Sequence, residues 1–297
     1  MLTTHHSAET VTVRRRYLNY FLDWCDERGL ETPHEVTRAV AERYQRWLYH
    51  YRKRDNEPLA VTSQFSRLNA IRAFFGHLAK THVIEYNPAA ELTMPRRGSQ
   101  LPRDTFTPEE VEIILALPDL STHEVLRDRA ILELFYSTGI RRMELSYLSI
   151  YDIDHTRGVL FVREGKGRKD RVVPVGDRAL RWLRQYLDRA RPEMLRHHDV
   201  TALFLSVQGE PLSLDYLTQI AGRYIHKANL GKRGSCHVFR HTVATLMHEN
   251  GADIRHIQEM LGHSSITTTQ IYTHVTNKRL KEIHQSFHAK RKRGEKK

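Results

Sequence analysis

Two cysteines, Cys25 and Cys236, are all that the 297 residues contain. That is too few for the disulfide framework of a small secreted scaffold, and a reducing cytoplasm is the compartment this predicts. No run approaches the roughly 18 apolar residues of a membrane span, and residues 1–12 are polar where a secretory signal would carry an apolar core. Also missing are the Gly-x-x-x-x-Gly-Lys-Ser/Thr loop that cradles nucleotide phosphates, the Gly-x-Ser-x-Gly elbow of serine hydrolases and the carboxylate cluster of two-metal nucleases. The chemistry expected therefore uses no ATP, no metal and no cofactor. Acidic residues are short as well: Lys and Arg number 47 against 35 Asp and Glu, a net charge of +12. That imbalance favours a polyanionic partner, with nucleic acid first among the candidates.

What is present is helical punctuation. Val13, Tyr17, Tyr20, Phe21 and Trp24 recur at spacings of three and four, and Gly29 stands where a helix stop belongs. Thr32-Pro33-His34-Glu35 combines a capping box with proline at the first helical position, ahead of an apolar stripe running on to Tyr51. A third stripe begins near Ser63, and Asn87-Pro88 and Met94-Pro95 punctuate a short last piece. These patterns predict an all-helical domain over residues 1–95. Its aromatics belong to the core, and its arginines and lysines between Arg14 and Arg72 form a basic face suited to phosphates rather than base edges.

Residues 96–104 have linker composition, and a second domain is expected over 105–297. There Thr107-Pro108-Glu109-Glu110 opens a helix to about Leu117, and another runs from Glu124 to Ser137. The period then changes. Residues 159–162 and 171–175 are β-branched runs flanking Gly165-Lys166-Gly167-Arg168-Lys169-Asp170, a hairpin signature, and a third short strand is expected at 202–205. The fold class expected is mainly α: an all-helical N-terminal domain followed by a mixed α+β domain with a small antiparallel sheet. The tail, residues 290–297, is charged and expected to order only on a partner.

Residues 236–275 gather the chemistry-bearing side chains. Cys236-His237-Val238-Phe239-Arg240-His241 opens a helix, so His237 and Arg240 should project from one face, both in the first turn, where free N–H groups favour an anion. Asp253 suits the N-cap of the next short helix and Gly262 its stop, which leaves His263 on the turn beyond; Tyr272 follows on a helical run from near Ser264. A hydroxyl, imidazoles and a guanidinium in one region suit phosphate chemistry. Each also has a plainer reading: Tyr272 as core, His263 as a helix cap, Lys166 as a charged hairpin tip. Zinc is not expected at His237 and His241, because Arg240 between them is a poor neighbour for a dication.

Thr138-Gly139-Ile140-Arg141 with Glu144-Leu145, then Gly165-Lys166-Gly167, His237-Val238-Phe239-Arg240-His241, Leu261-Gly262-His263 and Thr268-Thr269-Gln270-Ile271-Tyr272 stand in the order and spacing of the tyrosine recombinases, the phage integrase family. The chain resembles the Xer type among them, over its whole second domain and more loosely over the first. Arg142 after the first arginine, and Cys236 where proline is frequent, are departures outside the catalytic set.

The resemblance implies a site-specific DNA recombinase whose helical domain and catalytic domain clamp a duplex. In it Tyr272 attacks a phosphodiester, giving a 3′-phosphotyrosyl link and a free 5′-hydroxyl. Arg141 and Arg240 hold the non-bridging oxygens, Lys166 protonates the leaving 5′-oxygen with Lys169 as its rival, and His237 and His263 assist in proton transfer and phosphate binding. Glu144 supports this set. A tetramer on two DNA sites is implied too, formed by this chain alone or with a related partner. Leu280, Ile283 and Phe287 give the tail a helical face for docking on a neighbouring protomer. Since the helical pattern begins near residue 10, no extra N-terminal arm-binding domain is expected. The rival readings are a type IB topoisomerase-like enzyme, indifferent to site, and a non-catalytic DNA-binding protein.

Overall fold

Phe21, Trp24, Tyr44 and Phe75 are each at most 2% exposed. Tyr44 meets Phe21 and Trp24 edge to face, with ring centroids 4.9 and 5.1 Å apart, an arrangement that adds to the burial of large apolar area. These rings come from three helices, α1 (Ala8–Asp26), α2 (Arg38–His50) and α3 (Val61–Lys80), so these four aromatics are core, whereas Tyr20 of the first stripe is 41% exposed. The structure, a computed structural model, describes residues 8–96, 105–163 and 170–262, and the chain divides into two units, Met1–Ser99 and Gln100–Lys297.

One helix of the first unit begins later than its sequence suggests. The Thr32 box forms, with the Glu35 carboxylate accepting from the Thr32 N–H at 2.8 Å, but it caps only a 3-10 turn, Pro33–Glu35. The chain leaves helical geometry at Val36, and α2 restarts at Arg38 under the Thr37 hydroxyl, which accepts from the Val40 N–H. A buried β-branched residue followed by a second capping residue favours that break over a continuous helix. The basic face is narrower than a count of cations implies. Arg15, Arg16, Arg43, Arg46, Arg54 and Arg72 are exposed, and Arg52, exposed as well, is engaged with the carbonyls of Tyr49, His50 and Tyr51 at the end of α2. Lys53 pairs with Asp55, and the Arg67 guanidinium lies 4.1 Å over the Tyr20 ring.

The second unit opens with α4 (Pro108–Ala116) and α5 (His123–Thr138), continues through the short α6 (Arg142–Ser146), and then forms the sheet: β1 (Ile153–Asp154), β2 (Val159–Val162) and β3 (Arg171–Pro174). The strands are antiparallel in the order β1-β2-β3, with Leu160 opposite both Ile153 and Val173. Helix α7 (Asp177–Gln185) runs through a π turn into α8 (Arg191–Met194), and α9 (Leu214–Lys227), α10 (Cys236–Glu249) and α11 (Ile254–Leu261) follow. Leu134, Phe135, Leu160, Val173, Leu183 and Phe239 are fully buried and join helices to sheet.

The strand expected at 202–205 does not form; the third strand is β1, and Ala202 and Leu205 make only single bridges, to Ser149 and Pro211. Side chains occupy the backbone groups a ladder would need. Arg191 donates to the carbonyls of Val200 and Ala202 at 2.7 and 2.9 Å, Arg127 donates to the Leu205 carbonyl, and the Tyr186 hydroxyl accepts from the Leu205 N–H. Residues 97–104 of the expected linker and 164–169 of the expected hairpin lie outside the described residues. Among the described residues no helix is long and apolar enough to cross a membrane.

Candidate active site

The site starts from a glycine. Gly139 ends α5 in the left-handed region, at φ +58°, and a Cβ there would come within 2.7 Å of the Leu261 side chain. Only glycine meets both demands without strain. The reversal brings Arg141 to the N-cap of α6, where the Glu144 carboxylate accepts its backbone N–H at 2.8 Å and so fixes the first turn.

Three guanidiniums then meet the end of α11. Helix ends leave carbonyls without partners and carry the negative end of the helix dipole, and here each of the last three has its own arginine. Arg171 Nε donates to the Met260 carbonyl at 2.9 Å. Arg240 Nη2 donates to the Leu261 carbonyl at 2.6 Å, while its Nη1 donates to the Gly139 carbonyl at 2.8 Å. Arg141 Nη2 donates to the Gly262 carbonyl. Gly262 stops the helix in the left-handed region at φ +65°, and Asp253 caps its start by accepting from the Arg255 N–H, both as the sequence predicts.

Glu144 ties two of these arginines together. Its Oε1 accepts from Arg141 at 2.7 Å and from Arg171 at 2.9 Å, and its Oε2 accepts from Arg171 at 2.7 Å. Burial would raise its pKa, but the hydrogen bonds from Arg171 and from the Arg141 backbone, with the charge of Arg171, outweigh that and hold it at about 2.

Helix α10 presents His237 at its second position, so His237 has the first-turn environment. Arg240 stands one turn further in, which corrects the expectation that both lie in the first turn. Its charge is held by the carbonyls just named rather than by the start of the helix, and it is 6% exposed. The His237 side chain reaches solvent. Even so, partial desolvation first, and then the guanidiniums of Arg142, Arg240 and Arg141, push its pKa below 6.5. Its neutral form is thus favoured in the folded protein, which makes this contribution to stability full above pH 6.5 and weaker as pH falls. A bound phosphate would reverse the shift. An NMR titration of the DNA-free protein should find the His237 midpoint below 6.5, and a duplex should raise it; a midpoint above 6.5 without DNA would contradict the geometry.

Of the six residues expected to carry the chemistry, Arg141 and Arg240 thus share the end of α11, and His237 lies within the electrostatic reach of both. Lys166, His263 and Tyr272, with the rival Lys169, lie outside the described residues. Among the described residues no group of three or more His, Cys, Asp or Glu is placed to hold a metal ion. The sequence marks Arg171 only as the start of a strand. Alternation along β3 gave a signal, because Arg171 shares the face of Val173, which is fully buried, while Val172 between them is 54% exposed. A cation on the inward face of a strand needs a partner.

Comparison with known proteins gives the same lineage. Residues 104–279 match the model of the phage integrase family. Tyrosine recombinase XerC 2 of Ralstonia nicotianae is 49% identical over 291 residues, which cover 98% of this chain and 84% of that protein. Tyrosine recombinase XerD of Corynebacterium glutamicum is 37% identical, over 95% of this chain and 92% of that one. Among solved structures, the XerH site-specific recombinase in a post-cleavage complex with its palindromic difH substrate superposes with a TM-score of 0.68 at 25% identity, covering 84% of this chain and 72% of that one. This chain belongs to the phage integrase family, the tyrosine recombinases.

Proposed function

We propose that this tyrosine recombinase cuts and rejoins DNA strands at a specific site, with Tyr272 as nucleophile and with Arg141, Lys166, His237, Arg240 and His263 as its catalytic set. The observation that carries the reading is the convergence of Arg141 and Arg240 on the carbonyls of Leu261 and Gly262, immediately before the segment that bears His263 and Tyr272. Phosphoryl transfer concentrates negative charge on the non-bridging oxygens, and two guanidiniums are planar, permanently charged donors for them. The Tyr272 oxygen attacks phosphorus as the bond to the 5′-oxygen breaks. Lys166 gives that oxygen its proton, with His237 and His263 assisting proton movement. A free phenol has a pKa of about 10, and the cationic field lowers the cost of its ionisation. The phosphotyrosine retains the energy of the broken bond, so a 5′-hydroxyl can attack it in turn and reseal the strand without ATP.

Double-stranded DNA is the partner. Residues 1–95 act as the core-DNA-binding domain, with exposed arginines such as Arg43 and Arg46 on phosphates, and residues 105–297 form the catalytic domain. The protein works in the cytoplasm as a tetramer on two sites, its tail docking on a neighbouring protomer. Intact tetramers after removal of residues 278–297, measured by light scattering on DNA, would refute the tail's part. A nicked suicide duplex tests the chemistry: the wild type should form a covalent adduct and Tyr272→Phe none. No adduct with the wild type, or an undiminished one with the variant, would sink the proposal, and a scrambled site that is cut equally well would point to topoisomerase-like activity.

A further inference from the structure

Glu144 poses a charge problem for the reading above. A buried carboxylate bonded to Arg141 would cancel the cation meant for the phosphate, since an ion pair presents little net field at its open side. Glu144 is 6% and Arg141 21% exposed at the side chain, so water screens this pair only weakly. Arg171 alters the balance. It is 11% exposed and grips both carboxylate oxygens with Nη1 and Nη2, a two-point charged contact where the Arg141 guanidinium makes only one. Two guanidiniums and one carboxylate leave a single positive charge, and the open side of that group is Arg141.

We propose that Arg171 is a positioning residue of the recombinase: it neutralises Glu144 so that the Arg141 charge remains available to the DNA phosphate, and it ties the start of β3 to the end of α11. The second part rests on its third bond. Nε holds the Met260 carbonyl at 2.9 Å, and the guanidinium lies so close to Gly262 that a Cβ there would stand 3.0 Å from its Cζ. Arg171 therefore connects three segments that lead directly to proposed catalytic residues. Arg141 caps the start of α6, β3 follows the residues carrying Lys166, and α11 precedes His263. A merely structural ion pair would need Glu144 and Arg171 for folding but would be indifferent to the net charge left behind.

The inference rests on the recombinase reading, and its test separates the two. Arg171→Gln, Arg171→Lys and the double variant Glu144→Gln/Arg171→Gln are compared with the wild type on the suicide duplex. Single-turnover cleavage, duplex affinity by gel shift and thermal melting are measured for each. Arg171→Gln should cleave about 10- to 100-fold more slowly with affinity little changed, as when a group orienting a catalytic donor is removed. Arg171→Lys, which keeps the charge, should lose less. The double variant restores the charge balance and should fold and cleave within about tenfold of the wild type. Wild-type speed in Arg171→Gln overturns the inference, and so does a double variant that fails to fold or cleaves no faster than Arg171→Gln. If Arg171→Gln itself does not fold, the double variant decides by the same tenfold margin. A wild type that forms no adduct would instead sink the recombinase reading.

Discussion

Arg240→Lys is expected to slow strand cleavage by at least about a hundredfold, the scale for removing one preorganised donor from a transition state. The native Arg240 is 6% exposed and its guanidinium spans two carbonyls, Gly139 at 2.8 Å and Leu261 at 2.6 Å. It thereby locks the turn that leads into Arg141 against the end of α11. A lysine ammonium is a point charge on a flexible stem and has no planar fork for two carbonyls and a phosphate together. The variant also leaves a buried carbonyl short of its donor, at a cost of about 1–3 kcal/mol. Duplex affinity should change by less than about threefold, because binding is spread over many phosphate contacts. Single-turnover cleavage on the suicide duplex, with affinity measured separately, checks the split. Equal losses in both would place Arg240 in binding rather than in the chemical step.

Glu144→Ala should cost the fold about 3–5 kcal/mol, the penalty for breaking a buried ion pair and stranding its partners. The change strips the acceptor from Arg141 Nη1, from both Arg171 nitrogens and from the Arg141 N–H. It carries a pH signature as well. The folded pKa of about 2 lies below the ordinary 4.5, so the unfolded chain binds the proton more readily. The stabilisation is complete above pH 4.5 and is withdrawn as pH falls from there toward 2, an effect of about 3 kcal/mol. Urea unfolding should therefore show a gap between wild type and Glu144→Ala that is widest at pH 7 and visibly narrower at pH 3. A gap independent of pH would mean that the carboxylate charge is not what holds this corner.

Local signals carried much of the fold into the sequence, and long-range ones did not. Thr107-Pro108 and Asp253 act within one turn of themselves, and the helices they open are where the sequence places them. Gly139 and Gly262 likewise stop their helices in the left-handed region. The failures have two causes, one distant in sequence and one local. At 202–205 the apolar pattern is strand-like, but Arg191, Tyr186 and Arg127, each distant in sequence from part of it, take the backbone groups a ladder would use. At Val36 a local competitor, the Thr37 cap, interrupts a stripe that periodicity alone would run through. For the site, motif order supplied the family and the candidate residues, whereas the way Arg141, Arg171 and Arg240 divide three successive carbonyls depends on contacts between α6, β3, α10 and α11. No spacing within one segment encodes that.

The geometry also bears on why the departure at Arg142 is tolerable. Its guanidinium donates to the Thr218 hydroxyl at 2.5 Å, which places it on α9 rather than on the α11 carbonyls. After desolvation, it adds the largest of the charge effects that lower the His237 pKa. A second cation beside Arg141 thus reinforces the positive character of the site without competing for the same partners.

The most direct test of the account is to map the covalent bond itself. The adduct formed on a nicked suicide duplex, digested and sequenced by mass spectrometry, should carry its nucleotide on Tyr272 through the 3′-phosphate, with a free 5′-hydroxyl on the departing strand. A nucleotide on any other residue, or a link through a 5′-phosphate, would contradict it.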